Sequence, residues 1–119
     1  MNNLTIERID GIPVARVGDD IDAANAATVQ EQLAGALGPD TLCLIVDLSE
    51  TRFIDSAGLD MLLRLSDRLD HRRAKLMLVI PKTSQLSRLA AIVGLSQAMP
   101  VHPTLLAARQ AAAPRTASD

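Results

Sequence analysis

Two short, wholly apolar runs constrain the fold of this chain more than any other feature of its sequence. Strands are predicted at residues 41–46 and 76–80, and each contains five consecutive apolar residues. Runs of this length are too short for a buried helix and fit strands that are covered on both faces. Such strands belong to parallel sheets with helices packed against them. The chain is therefore expected to have an α/β fold.

The N-terminal segment predicts one antiparallel hairpin. Two runs rich in β-branched residues, 5–9 and 12–17, are separated by Asp10 and Gly11. An Asp-Gly pair between such runs favours a two-residue turn, because Gly accepts a positive φ angle there. Pro13 cannot donate a hydrogen bond to a sheet, so we expect it at the start of its strand or in an edge-facing position.

Apolar residues at helical spacing predict four helices that follow or separate the strands. They are expected at 25–37, at 57–72, from a cap at Thr83 or Ser84 to a stop at Gly94, and at 104–113, with a short strand at 98–101. Gly38 and Pro39 are expected to end the first helix, with Gly as the cap. The core stripes are Ala26, Val29, Leu33 and Leu37, then Gly58, Leu62, Leu65 and Leu69, then Leu86, Leu89, Ala90 and Val93.

These elements predict one domain at residues 1–113, followed by a disordered tail at 114–119. The expected fold is a mixed, mostly parallel sheet of four to five strands with an N-terminal β-hairpin and about four helices. In such sheets, ligands and partners meet the loops beyond the carboxyl ends of the strands. Asp22 and the turn at residues 47–58 are expected at that edge.

The composition argues against several classes of function. The chain has 12 Lys and Arg against 14 Asp and Glu, a formal net charge of −2, which gives no long-range attraction to nucleic acid or to an anionic membrane. Phe53 is the only Phe, and Trp and Tyr are absent, so bases have nothing to stack on. From the sequence we expect neither a transmembrane helix nor a secretory signal. We expect a cytoplasmic protein with no nucleic-acid partner and no direct membrane insertion.

Groups that could hold a metal or a cofactor are sparse. Cys43 is the only cysteine, and its apolar surroundings in the sequence predict a small buried hydrophobe. His71 and His102 have no zinc-site spacing. Asp19, Asp20 and Asp22 lack a cation-loop pattern and are expected to be solvated loop carboxylates. No glycine-rich phosphate loop is present. We therefore expect neither a metal nor a cofactor.

The turn Asp55-Ser56-Ala57-Gly58 at the start of the second predicted helix is the candidate functional segment. One interpretation is structural: Asp55 or Ser56 caps the helix, and Gly58 permits close packing. A hydroxyl on an exposed first turn is also accessible to a kinase, and the helix dipole favours a phosphate there. That phosphate would add nearly two negative charges to a neutral contact surface. A nucleophilic Ser56 is disfavoured because no base is near: His71 lies about 20 Å along the same helix. We do not expect an enzyme.

Residues 46–63, VDLSETRFIDSAGLDMLL, resemble the signature of the STAS domain, the sulphate transporter and anti-sigma factor antagonist family. Gly18, Asp22 and the Val93-Gly94-Leu95 segment agree with it, and the resemblance runs from about residue 4 to 112. For free-standing members it implies an unphosphorylated antagonist that binds an anti-sigma factor serine kinase and so releases the sigma factor. The kinase then phosphorylates the Ser after the motif Asp, here Ser56, and a serine phosphatase restores binding.

The resemblance implies a partner-binding surface around this turn. Its members would be Asp22, Asp55, Ser56, Ala57, Gly58 and Leu59, to which we add Asp60 and Leu63 because they lie within the next helical turn. Many phosphorylated members carry Ser or Thr after the phosphoserine, whereas this chain has Ala57. An alternative function is a cytosolic accessory subunit of a membrane lipid-transport complex, where an Asp-(Ser/Thr)-Ala-Gly turn also occurs. We expect a monomer until a partner binds.

Overall fold

Residues 3–112, which the computed structural model describes, contain five strands in one sheet of order β1-β2-β3-β4-β5. The strands are β1 (Leu4–Ile9), β2 (Ile12–Val17), β3 (Cys43–Asp47), β4 (Lys75–Val79) and β5 (Val101–His102). The helices are α1 (Ala26–Gly35), α2 (Ser56–His71), α3 (Gln85–Val93), α4 (Leu95–Ala98) and α5 (Leu105–Ala112). β1 pairs antiparallel with β2, and the other neighbours pair parallel. The predicted fold class is confirmed, whereas the tail at 114–119 lies outside the described residues.

The hairpin turn forms as predicted. Asp10 and Gly11 have φ angles of 53° and 80°, and the flanking Ile9 and Ile12 face each other across the strands. Positive φ at both central residues is the requirement of a type I′ turn. Pro13 is the second residue of β2 and precedes Val14, where the pairing with β3 begins. Its missing N–H therefore falls outside the parallel ladder.

Helices cover the two faces of the sheet unequally. The larger core lies under α1, α2 and α3, where Leu33, Leu62 and Leu86 pack with inward residues of β3 and β4. The smaller core lies on the opposite face, where α5 covers the sheet through Ala108. Cys43 is buried in this smaller core, as expected, and burial raises the pKa of its thiol to about 11. The apolar strands are thus covered on both faces.

The predicted core stripes are confirmed with partial exceptions. Leu37 and Leu89 are only partly buried, and Val93 is 47% exposed. Val93 is the last residue of α3, because the chain turns at Gly94 with a φ of 67° and continues into α4, which was not predicted. Leu95 of α4 is buried in the core in place of Val93.

Some predicted boundaries were wrong by a few residues. α1 ends at Gly35 with Ala36 as its C-cap, so Gly38 is not the cap. The chain at 38–41 is held instead by Arg72, whose guanidinium donates to Gly38 O at 2.6 Å. Leu42 is 72% exposed and precedes β3, although it belongs to the apolar run. The end of α1 and the start of β3 depend on contacts with residues distant in the chain, and the local sequence carries no information about such contacts.

Candidate functional site

Two loops meet beyond the carboxyl ends of β2 and β3. One leads from β2 to α1 and the other from β3 to α2. They form a parallel bridge between Ile21 and Ile54, in which Ile21 N–H donates to Phe53 O at 3.1 Å and Asp55 N–H donates to Ile21 O at 3.1 Å. The sequence placed Asp22 and the 47–58 turn at one edge of the sheet, and the structure brings them together there.

Side chains from the middle of each loop hold the other loop in place. Asp20 Oδ1 accepts hydrogen bonds from the backbone N–H groups of Arg52 and Phe53, at 2.9 and 3.1 Å. The Thr51 hydroxyl is buried and lies 3.1 Å from both Val17 O and Asp19 O. Asp20, expected as a solvated loop carboxylate, thus also joins the two loops through exposed hydrogen bonds. A polar Thr in a loop carries no local sign that it will be buried, so sequence reasoning missed Thr51.

Asp55 is the N-cap of α2 and also contacts the first loop. Its Oδ1 accepts from Gly58 N–H at 3.0 Å, and its Oδ2 accepts from Ala23 N–H at 3.1 Å. The first bond satisfies one of the backbone donors that a helix start leaves without a partner. The choice between Asp55 and Ser56 as the cap is therefore settled in favour of Asp55.

Gly58 allows α2 to start directly against the first loop. It is buried, and a Cβ atom built there would lie 2.5 Å from Ile54 Cγ2 and 2.9 Å from Ile21 Cγ2. Any larger residue would push the helix start away from the Ile21–Ile54 bridge. The expectation of close packing at this glycine is confirmed. The same packing leaves the neighbouring Ser56 on the outside.

Ser56 is the first residue of α2, and its side chain is exposed. Because Asp55 occupies the cap position, the Ser56 hydroxyl is not needed to hold the helix start. Within residues 3–112 its hydroxyl has no hydrogen-bond partner. It is an accessible oxygen beside a helix N-terminus, where a negative group is favoured by the helix dipole.

Four of the predicted contact residues share one face of α2. Leu59, Asp60 and Leu63 follow Ser56 at the three, four and seven residue spacing that stacks side chains on a helix. Leu59 is partly buried, Leu63 is 43% exposed, and the exposed Asp60 forms an ion pair of 2.8 Å with Arg64. We call Ser56, Leu59, Asp60 and Leu63 the α2 face. It combines exposed apolar surface with the Ser56 hydroxyl and with a carboxylate that is paired with Arg64.

The remaining predicted residues support this face from behind or beside it. Ala57 is partly buried against the core, so it offers less surface than its neighbours. Asp22 is half-buried, and its Oδ1 accepts from Ala24 N–H at 2.9 Å and Asn25 N–H at 3.2 Å. Its carboxylate therefore shapes the turn into α1. Phe53 is 52% exposed at the end of the second loop and was not predicted as a site residue. Its signal was an isolated aromatic residue in a polar turn.

No helix in residues 3–112 is long and apolar enough to cross a membrane. The same residues contain no group of three or more His, Cys, Asp or Glu side chains placed to hold a metal ion.

Comparison with known proteins assigns the family. Residues 3–108 match the STAS domain. This chain belongs to the STAS domain family. The match covers nearly the whole described chain, and it confirms the resemblance carried by residues 46–63. The Asp55–Gly58 turn, the loop containing Asp22 and the α2 face are thus parts of a STAS domain.

Several proteins similar to this STAS domain are named anti-sigma factor antagonists. It is 29% identical over 66 residues to the anti-sigma-F factor antagonist RsfB of Mycobacterium tuberculosis, a match that covers 56% of this chain and only 54% of RsfB. The crystal structure of an anti-sigma factor antagonist from Mycobacterium paratuberculosis has a TM-score of 0.81 at 25% identity, over 93% of both chains. Phosphorylated SpoIIAA from Bacillus, at 17% identity and a TM-score of 0.67, shares the fold over 92% of this chain and 99% of its own.

Proposed function

We propose that this STAS domain is an anti-sigma factor antagonist, and that phosphorylation of Ser56 controls its binding to an anti-sigma factor serine kinase. The names of RsfB and of the Mycobacterium paratuberculosis protein support the antagonist function. The observation that carries the proposal is the exposed Ser56 hydroxyl at the first position of α2, next to a cap already filled by Asp55.

The unmodified protein would bind its partner through the α2 face and Phe53. Leu63 and Phe53 are 43% and 52% exposed, so a partner that covers them removes apolar surface from water. The Ser56 hydroxyl is small and uncharged, and a contact surface covers it at little cost. Binding of the kinase in this way would release the sigma factor that the kinase otherwise holds.

Phosphorylation would reverse this binding. The kinase transfers the γ-phosphoryl group of ATP to Ser56 Oγ: a bond from Oγ to the γ-phosphorus forms, and the bond from that phosphorus to the β–γ bridging oxygen breaks. The hydroxyl proton passes to a base of the kinase, and ADP is released. The phosphate carries nearly two negative charges and joins Asp55 and the Asp60–Arg64 ion pair on the same surface. A docked partner would have to remove water from this cluster of charges, whereas the free domain keeps the phosphate hydrated beside the helix N-terminus.

The cycle requires a kinase and a phosphatase, and from this chain it requires only surface residues. A serine phosphatase would hydrolyse the phosphate ester and restore binding. The STAS domain itself supplies the phosphate acceptor and the docking face, so we assign it no catalytic role, metal or cofactor. We place it in the cytoplasm, as a monomer until the kinase binds.

Phosphate transfer is tested with the cognate anti-sigma factor kinase and ATP, by intact mass spectrometry. We expect one added phosphate on the natural chain and none on Ser56→Ala. Ser49→Ala is the matched control, because Ser49 is also exposed and lies in the loop that leads to α2. Its phosphorylation should be unchanged. Transfer to Ser56→Ala, or no transfer to the natural chain, would overturn the proposed site.

The effect of charge is tested by calorimetric binding to the same kinase. Ser56→Glu should weaken binding at least about tenfold, equivalent to about 1.4 kcal/mol. Gln has the same size as Glu but no charge, so the affinity of Ser56→Gln for the kinase should be much closer to that of the natural protein. Thermal unfolding should be nearly the same for all three, because Ser56 does not cap α2. If Gln weakens binding as much as Glu, or if Glu unfolds the domain, the charge switch is wrong.

A further inference from the structure

A cavity of about 220 Å³ lies at the carboxyl ends of β4 and β5, away from the α2 face. Ile80 follows β4 directly, and its N–H donates to His102 O at 2.9 Å, so the two strands are joined where the cavity opens. The carboxyl ends of parallel strands are where α/β sheets bind ligands. No residue of the α2 face lines this cavity, so it is independent of the proposed function.

The polar groups of the cavity favour an anion. Lys82, Ser87, Ser96 and His102 contribute to its lining, and no Asp or Glu of the described residues does. Among those residues, His102 Nε2 is buried with no hydrogen-bond partner. A buried polar atom without a partner is unfavourable, and rotation of the His102 ring toward the cavity would let a ligand oxygen satisfy it. A carboxylate could accept from both the Lys82 ammonium and the His102 Nε2–H.

The rest of the cavity requires an apolar ligand body of limited size. Its apolar lining includes Ile80, Ala90 and Val101. A cavity of about 150 Å³ is enough to hold benzene, whereas sites for drug-sized molecules begin near 300 Å³. The volume here lies between these values, and it leaves room for a ring of that size with one small polar group attached.

We propose that this cavity binds a small monocarboxylate whose apolar body is about the size of a benzene ring. The carboxylate lies between Lys82 and His102, and the apolar body packs against Ile80, Ala90 and Val101. In the bound state the His102 ring carries its proton on Nε2, and this N–H donates a hydrogen bond to a carboxylate oxygen.

Sodium benzoate is the probe, added to the ¹⁵N-labelled full chain and followed by NMR. We expect amide shifts around the cavity, a shift of the His102 Nε2 resonance, and a Kd of about 1 mM for a ligand this small. Benzamide has the same ring without a charge, and benzylamine has the same ring with a positive charge. Each should bind at least about tenfold more weakly than benzoate. Equal binding of benzylamine, or no shift at the cavity by about 20 mM benzoate, would overturn the proposal.

Four variants separate benzoate binding in this cavity from binding at other surfaces. Ala91→Leu narrows the cavity from its exposed side and should abolish benzoate binding, whereas Ala27→Leu, on the exposed side of α1, should not change it. Lys82→Met keeps the aliphatic stem, and loss of its charge should weaken binding about threefold to tenfold. Ser56→Glu should bind benzoate like the natural chain, whatever its effect on the kinase. Unchanged binding by a well-folded Ala91→Leu would place benzoate elsewhere and refute the site.

Discussion

Gly58→Ala tests the close contact that sets the start of α2 against the first loop. The added Cβ would lie 2.5 Å from Ile54 Cγ2, 2.9 Å from Ile21 Cγ2 and 3.1 Å from Ile21 O. Both isoleucine side chains are buried, and Ile21 O already accepts a hydrogen bond from Asp55 N–H, so none of the three atoms can move freely. We expect the variant to be less stable than the natural chain.

The magnitude follows from two effects of opposite sign. Replacing a helical Gly by Ala favours the helix by about 1 kcal/mol. Forcing a methyl group into a packed core costs about 1–3 kcal/mol, and the three crowded neighbours of Gly58 place it at the upper end. The net loss in the free energy of unfolding is therefore about 2 kcal/mol. Gly35→Ala isolates the first effect, because Gly35 is also helical and nothing lies within 4 Å of its added Cβ.

Urea unfolding, followed by circular dichroism, measures both variants. With an m-value of about 1.5 kcal/mol per M, Gly58→Ala should lower the midpoint by about 1 M. Gly35→Ala should leave it unchanged or raise it by up to about 0.5 M. If both variants raise the midpoint equally, Gly58 is not held in a tight contact and the argument for its role is refuted.

Three further outcomes are expected. Thr51→Val should lower the free energy of unfolding by about 1–3 kcal/mol in the same urea assay, because it removes a buried donor that two loop carbonyls share. Burial raises the pKa of Cys43 from 9.0 to about 11, so stability that is present below pH 9 should be lost as the pH rises towards about 11. Cys43→Ala should lack this loss. The hydrogen bond to the Asp67 carbonyl and the Asp67 charge raise the pKa of His71, so an NMR titration should place it above 6.5. Asp67→Asn should remove only the smaller, charge-dependent part.

The fold could be predicted largely because its signals are local. The apolar runs around β3 and β4, the Asp10-Gly11 turn and the helical stripes each arise from neighbouring residues, and most of their positions were confirmed. Predictions failed where a distant contact decided the outcome. Arg72 holds residues 38–41 through hydrogen bonds to their carbonyl groups. After the turn at Gly94, Leu95 is buried in the core, whereas Val93 is left partly exposed.

The candidate site divides in the same way. Its position at the start of α2, a helix cap at Asp55 or Ser56 and the close packing at Gly58 followed from the motif and from the rule that partners meet the carboxyl edge of a sheet. The roles of Asp20 and Thr51 did not, because their hydrogen bonds join residues more than thirty positions apart.

Hydrophobic period and turn chemistry were sufficient to specify an α/β sheet with an Asp-Ser-Ala-Gly helix start, since both depend on residues close in the chain. Only the folded molecule decided that Asp55 rather than Ser56 caps α2, because the Ala23 N–H that Asp55 also binds comes from another loop. The cavity beside His102 was likewise decided by tertiary packing. It exists only where β5 and α3 come together, and no local pattern encodes that meeting.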